Sequence, residues 1–150
     1  MKRLLDALAT HVFGPLDRRR EGDRSFQYVH EVEAFNRLPA EAMREHALQR
    51  IRKVCEVANR ACPFYRARFK EAGITNPEAM TWEAFDRIPL LTRADIRDHM
   101  DDIINQEIGK ENLRETATGG TTSAPITFFQ DWESFYRRRS ATIVFDRWYG

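Results

Sequence analysis

Apolar residues first recur at Leu4, Leu5, Leu8, Val12 and Leu16, three and four apart. That spacing predicts a short amphipathic helix, stopped near Gly14-Pro15. From Asp17 to Arg24 the chain is polar and mixed in sign, which reads as an exposed linker. Val29, Val32 and Phe35 then resume a helical spacing. The clearest stripe is Met43, Ala47, Leu48, Ile51, Val54, Cys55 and Ala58, with Arg44, Arg52, Lys53 and Glu56 falling largely elsewhere. It predicts one continuous helix over about 40–61, bounded by Pro39 and Pro63, with Met43, Leu48, Ile51, Val54 and Ala58 turned inward. A second helix over 64–71 follows, with Phe69 on the core side and Gly73 as its stop.

From Asn76-Pro77 onward the punctuation is denser. Thr81 is placed to cap a short helix through Phe85. Pro89 pushes Ile88 out of helical geometry, so Ile88 to Leu91 reads as an extended apolar step. Thr92 and Asp95 have the spacing of a capping box and open a helix to about Asp101. After Asn112 the texture changes, and 113–118 and 126–130 read as short strands rich in β-branched and aromatic residues. Asp131 then caps a long helix from Trp132 to Trp148. The segment is therefore expected to be mainly α-helical with a short strand–loop–strand element near 113–130. The helical region spans about 1–110, and the hairpin with its following helix about 111–150.

The composition is that of an ordinary globular chain, with 42% hydrophobic and 31% charged residues and a net charge of +1. So balanced a charge gives no field to gather nucleic acid. No apolar run approaches the about 20 residues of a membrane span, so no transmembrane segment is expected. Asp6 and His11 interrupt the N-terminal apolar stretch and make it a poor secretory signal; a cytoplasmic location is the default. Lys2 and Arg3 beside that stretch would also suit a membrane-surface helix, although packing against the rest of the protein serves the stripe equally. Cys55 and Cys62, if on one helix, stand about 10 Å apart. A disulfide tolerates only about 7 Å, so they read as small core hydrophobes. His99, Asp101 and Asp102 form the densest potential ligand cluster; with no second cluster they read as a solvated helix end and not a metal site.

The candidate chemistry lies in one loop, Thr118-Gly119-Gly120-Thr121-Thr122-Ser123-Ala124-Pro125. Glycines let backbone approach a polyanion, and successive N–H groups can form an anion nest with hydroxyl donors beside it. Such a loop can clasp the β- and γ-phosphates of ATP. It lacks the lysine of a Walker A loop. Taken alone it fits a plain turn-rich connection just as well.

The loop resembles the first nucleotide-binding signature of AMP-forming adenylate synthetases: Ser/Thr, Ser/Gly, Gly, Ser/Thr, Thr, Gly, any residue, Pro. Upstream, Leu48-Gln49-Arg50-Ile51-Arg52, then Ala61-Cys62-Pro63-Phe64-Tyr65 with Phe69, resembles the N-terminal helix of the phenylacetate–coenzyme A ligase family and its capsular-polysaccharide (CapK-type) relatives. Ile88-Pro89-Leu90-Leu91-Thr92 with Asp95-Ile96 resembles a further segment of that family, in the family's order. The matches span roughly 38–148. Ser123 stands where the signature has its last glycine, and Ala124 where many members carry lysine.

The resemblance implies an α/β fold for the whole enzyme, of which this chain is the N-terminal part. It implies ATP-dependent activation of a small-molecule carboxylate as an acyl-adenylate, followed by thioester formation with coenzyme A, with Mg2+ assisting. By the family pattern Gly119, Gly120, Thr121, Thr122 and Ser123 hold the ATP phosphates. Signatures for adenine, ribose, magnesium and the adenylation lysine do not occur here, so no catalytic residue or metal ligand is assigned, and the isolated chain is expected to be inactive. Phe128, Phe129, Trp132 and Tyr136 follow the loop and read as core packing or as the border of an acyl pocket. Arg137, Arg138 and Arg139 point about 100° apart on a helix, which argues against a shared anion site. The competing reading is a non-catalytic helical adaptor derived from the same family.

Overall fold

The computed structural model describes residues 22–118 and 125–149, with Tyr149 described by its backbone only. The helix expected near the N-terminus lies outside the described residues. Among those described are six α-helices and one two-stranded antiparallel sheet. They are α1 (Ser25–Asn36), α2 (Ala40–Ala61), α3 (Pro63–Glu71), α4 (Trp82–Phe85), α5 (Arg93–Ile103), β1 (Leu113–Ala117), β2 (Thr127–Asp131) and α6 (Trp132–Tyr149). Single 3-10 turns at Pro77–Ala79 and Lys110–Asn112 complete the set. The mainly helical segment with one hairpin is thus as expected. The chain divides into two compact units, one of residues 22–38 with 132–149 and one of Pro39–Asp131.

In the Pro39–Asp131 unit, α2 is the unbroken helix that its stripe predicts. Cys62 cannot continue it, because the Pro63 ring forces the preceding residue into an extended conformation, here φ −124° and ψ 101°. Pro63 then opens α3 at its first position, where a missing N–H is harmless. Helix α3 ends in a Schellman motif. Gly73 adopts φ +70°, its N–H donates to Lys70 O at 3.1 Å, and Ile74 N–H donates to Phe69 O at 2.8 Å. The reversal folds Ile74 back onto Phe69. Together with Cys55 and Met80 these side chains form the core of the unit, flanked by Ile51, Ala58, Tyr65 and Ile88.

One inward assignment is corrected. Val54 is 67% exposed. The buried line on α2 runs through Leu48 and Cys55, and at about 100° per residue Val54 stands a full step to the side of Cys55. Of this contiguous pair Cys55 takes the core position and Val54 is left in solvent.

The remaining ties of this unit are polar. Arg52 Nε donates to Met80 O at 2.8 Å, and Gln106 N–H donates to Ala61 O at 2.9 Å. Arg60 forms a forked pair with Glu107 at 2.7 and 2.8 Å, binding the end of α2 to the segment after α5. Both partners of that fork are exposed, so solvent screens the pair and it fixes geometry more than it stabilises.

The other unit pairs α1 with α6. Val29 and Val144 are buried between them, and Ser25 and Ser140 are fully enclosed. Small hydroxyl residues at the seam let the two backbones come close. Ser140 Oγ donates to Arg137 O at 2.6 Å, which satisfies its hydroxyl inside the helix. Three ion pairs flank the seam: Arg137–Glu31 at 2.6 Å, Arg147–Glu33 at 2.8 Å and Arg139–Asp23 at 3.1 Å. No helix among the described residues is long and apolar enough to cross a membrane.

Candidate functional site

Strands β1 and β2 pair from Leu113↔Asp131 to Ala117↔Thr127. The sequence places β-branched and aromatic residues on the ribbon, and the pairing carries both chain ends to the mouth of the loop. That mouth is closed twice. Thr118 N–H donates to Ile126 O at 2.9 Å, and Ile126 N–H donates to the Thr118 hydroxyl at 3.0 Å. The second bond uses a side chain where a regular ladder would use the main-chain carbonyl. Thr118 and Ile126, each one residue beyond its strand, are thereby held together at the base of the glycine-rich loop. Gly119, Gly120, Thr121, Thr122 and Ser123 lie outside the described residues.

Beside the mouth stands α5, whose start is set by a complete capping box. Asp95 N–H donates to the Thr92 hydroxyl at 3.1 Å, and both Thr92 N–H and its hydroxyl donate to Asp95 Oδ2 at 2.7 Å. Arg68 adds an ion pair to the same carboxylate at 2.8 Å. The Thr92 bonds first, and Arg68 after them, hold the Asp95 carboxyl below its ordinary range. Arg68 also donates to Pro89 O and Leu90 O, both at 2.9 Å, and lies 4.6 Å from the Phe64 ring centre. This one guanidinium therefore fixes the extended step from Ile88 to Leu91 against α3. Sequence reading missed Arg68. Its only signal was the carbonyl-rich, proline-stiffened step that needed a donor.

Helix α5 has a non-helical residue at His99, φ −129° and ψ 22°, where its ring meets Phe64 at 5.5 Å between centres. Asp101 pairs with Lys110 at 2.7 Å, and Gln106 Nε2 donates to Asp101 O at 2.6 Å. The cluster at 99–102 is thus the ion-paired end of a helix. No group of three or more His, Cys, Asp or Glu among the described residues could hold a metal ion. Cys55 and Cys62 are buried free thiols, and burial pushes both up from the usual thiol range. They are shielded from both metal and nucleophilic chemistry.

A groove of about 470 Å3 runs between α5 and the first residues of β2. Arg93, Ile96, Arg97 and Met100 line its helical side; Pro125, Ile126 and Thr127 line the other. These helical positions recur at i, i+3, i+4 and i+7, a stripe in which arginine alternates with an apolar residue.

The aromatic residues after the loop divide. Phe128 and Phe129 are half-buried on the hairpin, while Trp132 is 49% exposed. Trp132 lies 6.0 Å from the rings of Phe135 and of Tyr136. The arginine triplet disperses as helical geometry requires. Arg137 meets Glu31, Glu133 and the Tyr28 ring, Arg139 meets Asp23, and Arg138 lies exposed on the outer side of α6.

Compared with models of known families, with curated proteins and with solved structures, the chain matches none.

Proposed function

We propose that this chain is the N-terminal segment of an ATP-dependent carboxylate-activating enzyme, its glycine- and threonine-rich loop holding the phosphates of ATP. One observation carries the reading. The loop from Thr118 to Pro125 has the composition of an anion cradle and is mounted at the tip of an antiparallel hairpin, its mouth closed by the Thr118–Ile126 pair. The ordered resemblance upstream supports it. So does the hairpin itself: a two-stranded ribbon is marginal in water, and Thr116 Oγ1 and Gln130 Oε1 are buried on one of its faces with no hydrogen-bond partner among the described residues. Both features suit a ribbon that belongs to a larger α/β sheet. In this proposal Gly119, Gly120, Thr121, Thr122 and Ser123 contribute amides and hydroxyls, and ATP with Mg2+ would supply the adenylyl group. A carboxylate oxygen attacks the α-phosphorus and pyrophosphate leaves, giving an acyl-adenylate; the coenzyme A thiol then takes the acyl group and AMP leaves.

The test is carboxylate-dependent ATP–pyrophosphate exchange by a polypeptide carrying this segment together with the remainder of such an enzyme. Gly120→Val should abolish exchange, because a branched side chain fills the space where amides meet phosphate. Thr122→Ala should slow it by about ten- to a hundredfold, the worth of one hydrogen bond to a charged group. A well-folded Gly120→Val protein that exchanges at the parent rate would show that the loop is only a turn.

A second reading, a non-catalytic interaction module, is favoured by the outer faces of α6. There Phe145 and Trp148 are 46% and 62% exposed, their rings packed edge-on at 5.0 Å. Aromatic side chains in solvent are a common mark of protein contact surfaces.

A further inference from the structure

Helix α6 meets α1 on one side only. Ser140 and Val144 are buried on that side. At about 100° per residue, Phe135 and Thr142 stand roughly 140–160° around from Ser140, on the side away from α1. A groove of about 490 Å3 lies there, lined by Phe135, Arg138, Arg139, Thr142, Ile143 and Asp146. All six belong to α6, so among the described residues the groove has a single wall. The sequence holds one apolar stripe that the described fold does not absorb: Leu4, Leu5, Leu8 and Val12.

The two match in length, in charge and in tether. At about 1.5 Å per residue, a helix carries Val12 about 12 Å beyond Leu4, the same rise that separates Phe135 from Ile143. Asp146 closes one end of the groove; it is exposed and enters no ion pair among the described residues. Lys2 stands just before the stripe and offers the opposite charge. The tether leads to the groove itself. Asp23 is paired at 3.1 Å with Arg139 of the groove wall and accepts the Ser25 N–H at 2.8 Å, which pins the chain there as it enters α1. Residues 13–22 can extend roughly 30 Å, enough to reach either end of the groove. So short a connection gives an effective concentration in the millimolar range, far above that of a second copy in dilute solution.

We propose that the outer groove of α6 is the docking site of the chain's own N-terminal segment. Leu4, Leu5, Leu8 and Val12 lie along Phe135, Thr142 and Ile143, antiparallel to α6, with Lys2 beside Asp146. The stripe is thereby spent on α6 and not on a membrane surface, and α6 is covered on both sides. The docking involves neither the glycine-rich loop nor a nucleotide, so it stands independently of the adenylation reading.

The experiment is hydrogen exchange on the 150-residue chain at low micromolar concentration, read for the amides of residues 5–12. In the parent they should exchange at least about tenfold more slowly than unprotected amides. Thr142→Lys sets a charge in the groove at an exposed position of α6 and should remove most of that protection. Asp146→Lys should speed exchange about two- to fivefold, the worth of a surface pair, and adding Lys2→Glu should restore it. The amides of 28–34 in α1 should be unchanged in every variant, which separates lost docking from a disturbed fold. The proposal is overturned if residues 5–12 exchange at the unprotected rate in the parent, if Thr142→Lys leaves them protected, or if Lys2→Glu fails to rescue Asp146→Lys. Protection that falls on dilution would make a second copy the occupant, and protection that appears only with phosphatidylglycerol vesicles would make it a lipid surface; either result overturns it.

Discussion

Two glycines in the Pro39–Asp131 unit should respond to the same substitution with opposite sign. Gly73 sits at φ +70°, and a Cβ built there meets nothing within 4 Å. Gly73→Ala therefore creates no clash, and its whole cost is conformational. Holding an L-residue in the left-handed region costs about 1–2 kcal/mol. The reduced freedom of the unfolded chain returns about 0.4–1 kcal/mol, leaving a net loss of about 1 kcal/mol. Gly109 is at φ −60° and ψ 140°, a region that any residue occupies. The nearest atoms a Cβ there would meet are the carboxylate end of the exposed Glu111 side chain, which can swing aside. Gly109→Ala should accordingly stabilise by up to about 0.4–1 kcal/mol. Urea unfolding followed by far-ultraviolet circular dichroism reads both, with the slope unchanged in each variant. Gly73→Asn should lose about half as much as Gly73→Ala, because asparagine enters the left-handed region more readily. The reasoning fails if Gly73→Ala is as stable as the parent, or if the two alanine variants move in the same direction.

Phe69, 2% exposed at the centre of the core, should cost about 3–5 kcal/mol on truncation to alanine in the same urea assay. Asp95→Asn should destabilise at neutral pH and progressively less as the medium is acidified. The Asp95 carboxyl is held low in the folded chain, so its contribution is present above the unfolded pKa of about 3.9 and is lost as pH falls through the lower folded value. A gap between parent and variant that persists unchanged in strong acid would contradict this. Cys55 and Cys62, both buried, should resist an aromatic disulfide reagent at pH 8 in the native protein and react at once in denaturant. Rapid native labelling of either would show that the core opens there.

What the sequence made legible was local. The α2 stripe, the Pro63 break, the Gly73 stop, the Thr81 cap and the Thr92–Asp95 capping box each involve residues within one or two turns, where spacing alone dictates geometry. Val54 misled because an apolar stripe read by residue type is wider than the line that a neighbouring helix can cover. The long-range polar ties escaped entirely. Nothing near Arg68 announces that its donors reach Pro89, Leu90 and Asp95, and nothing near Arg137 announces Glu31, more than 100 positions away. The groove on α5 has a helical spacing on one side, but its other wall, Pro125 to Thr127, is brought there only by folding. The candidate loop stood out by composition, while the Thr118 hydroxyl bond that closes its mouth depends on strand pairing.

The pairing of α1 with α6 has a consequence for how the chain comes off the ribosome. The Pro39–Asp131 unit is one uninterrupted stretch and can collect its core as soon as Met80 and Ile88 have emerged. Helix α1 is made earlier, yet its partner is the last helix described. At about 5–20 residues per second, α1 waits for some seconds before α6 is made. Closing so long a loop is entropically slow, but an already folded insert shortens the free chain that must be searched. Birth order and folding order are therefore reversed for α1: the first helix of the described chain is among the last to find its place.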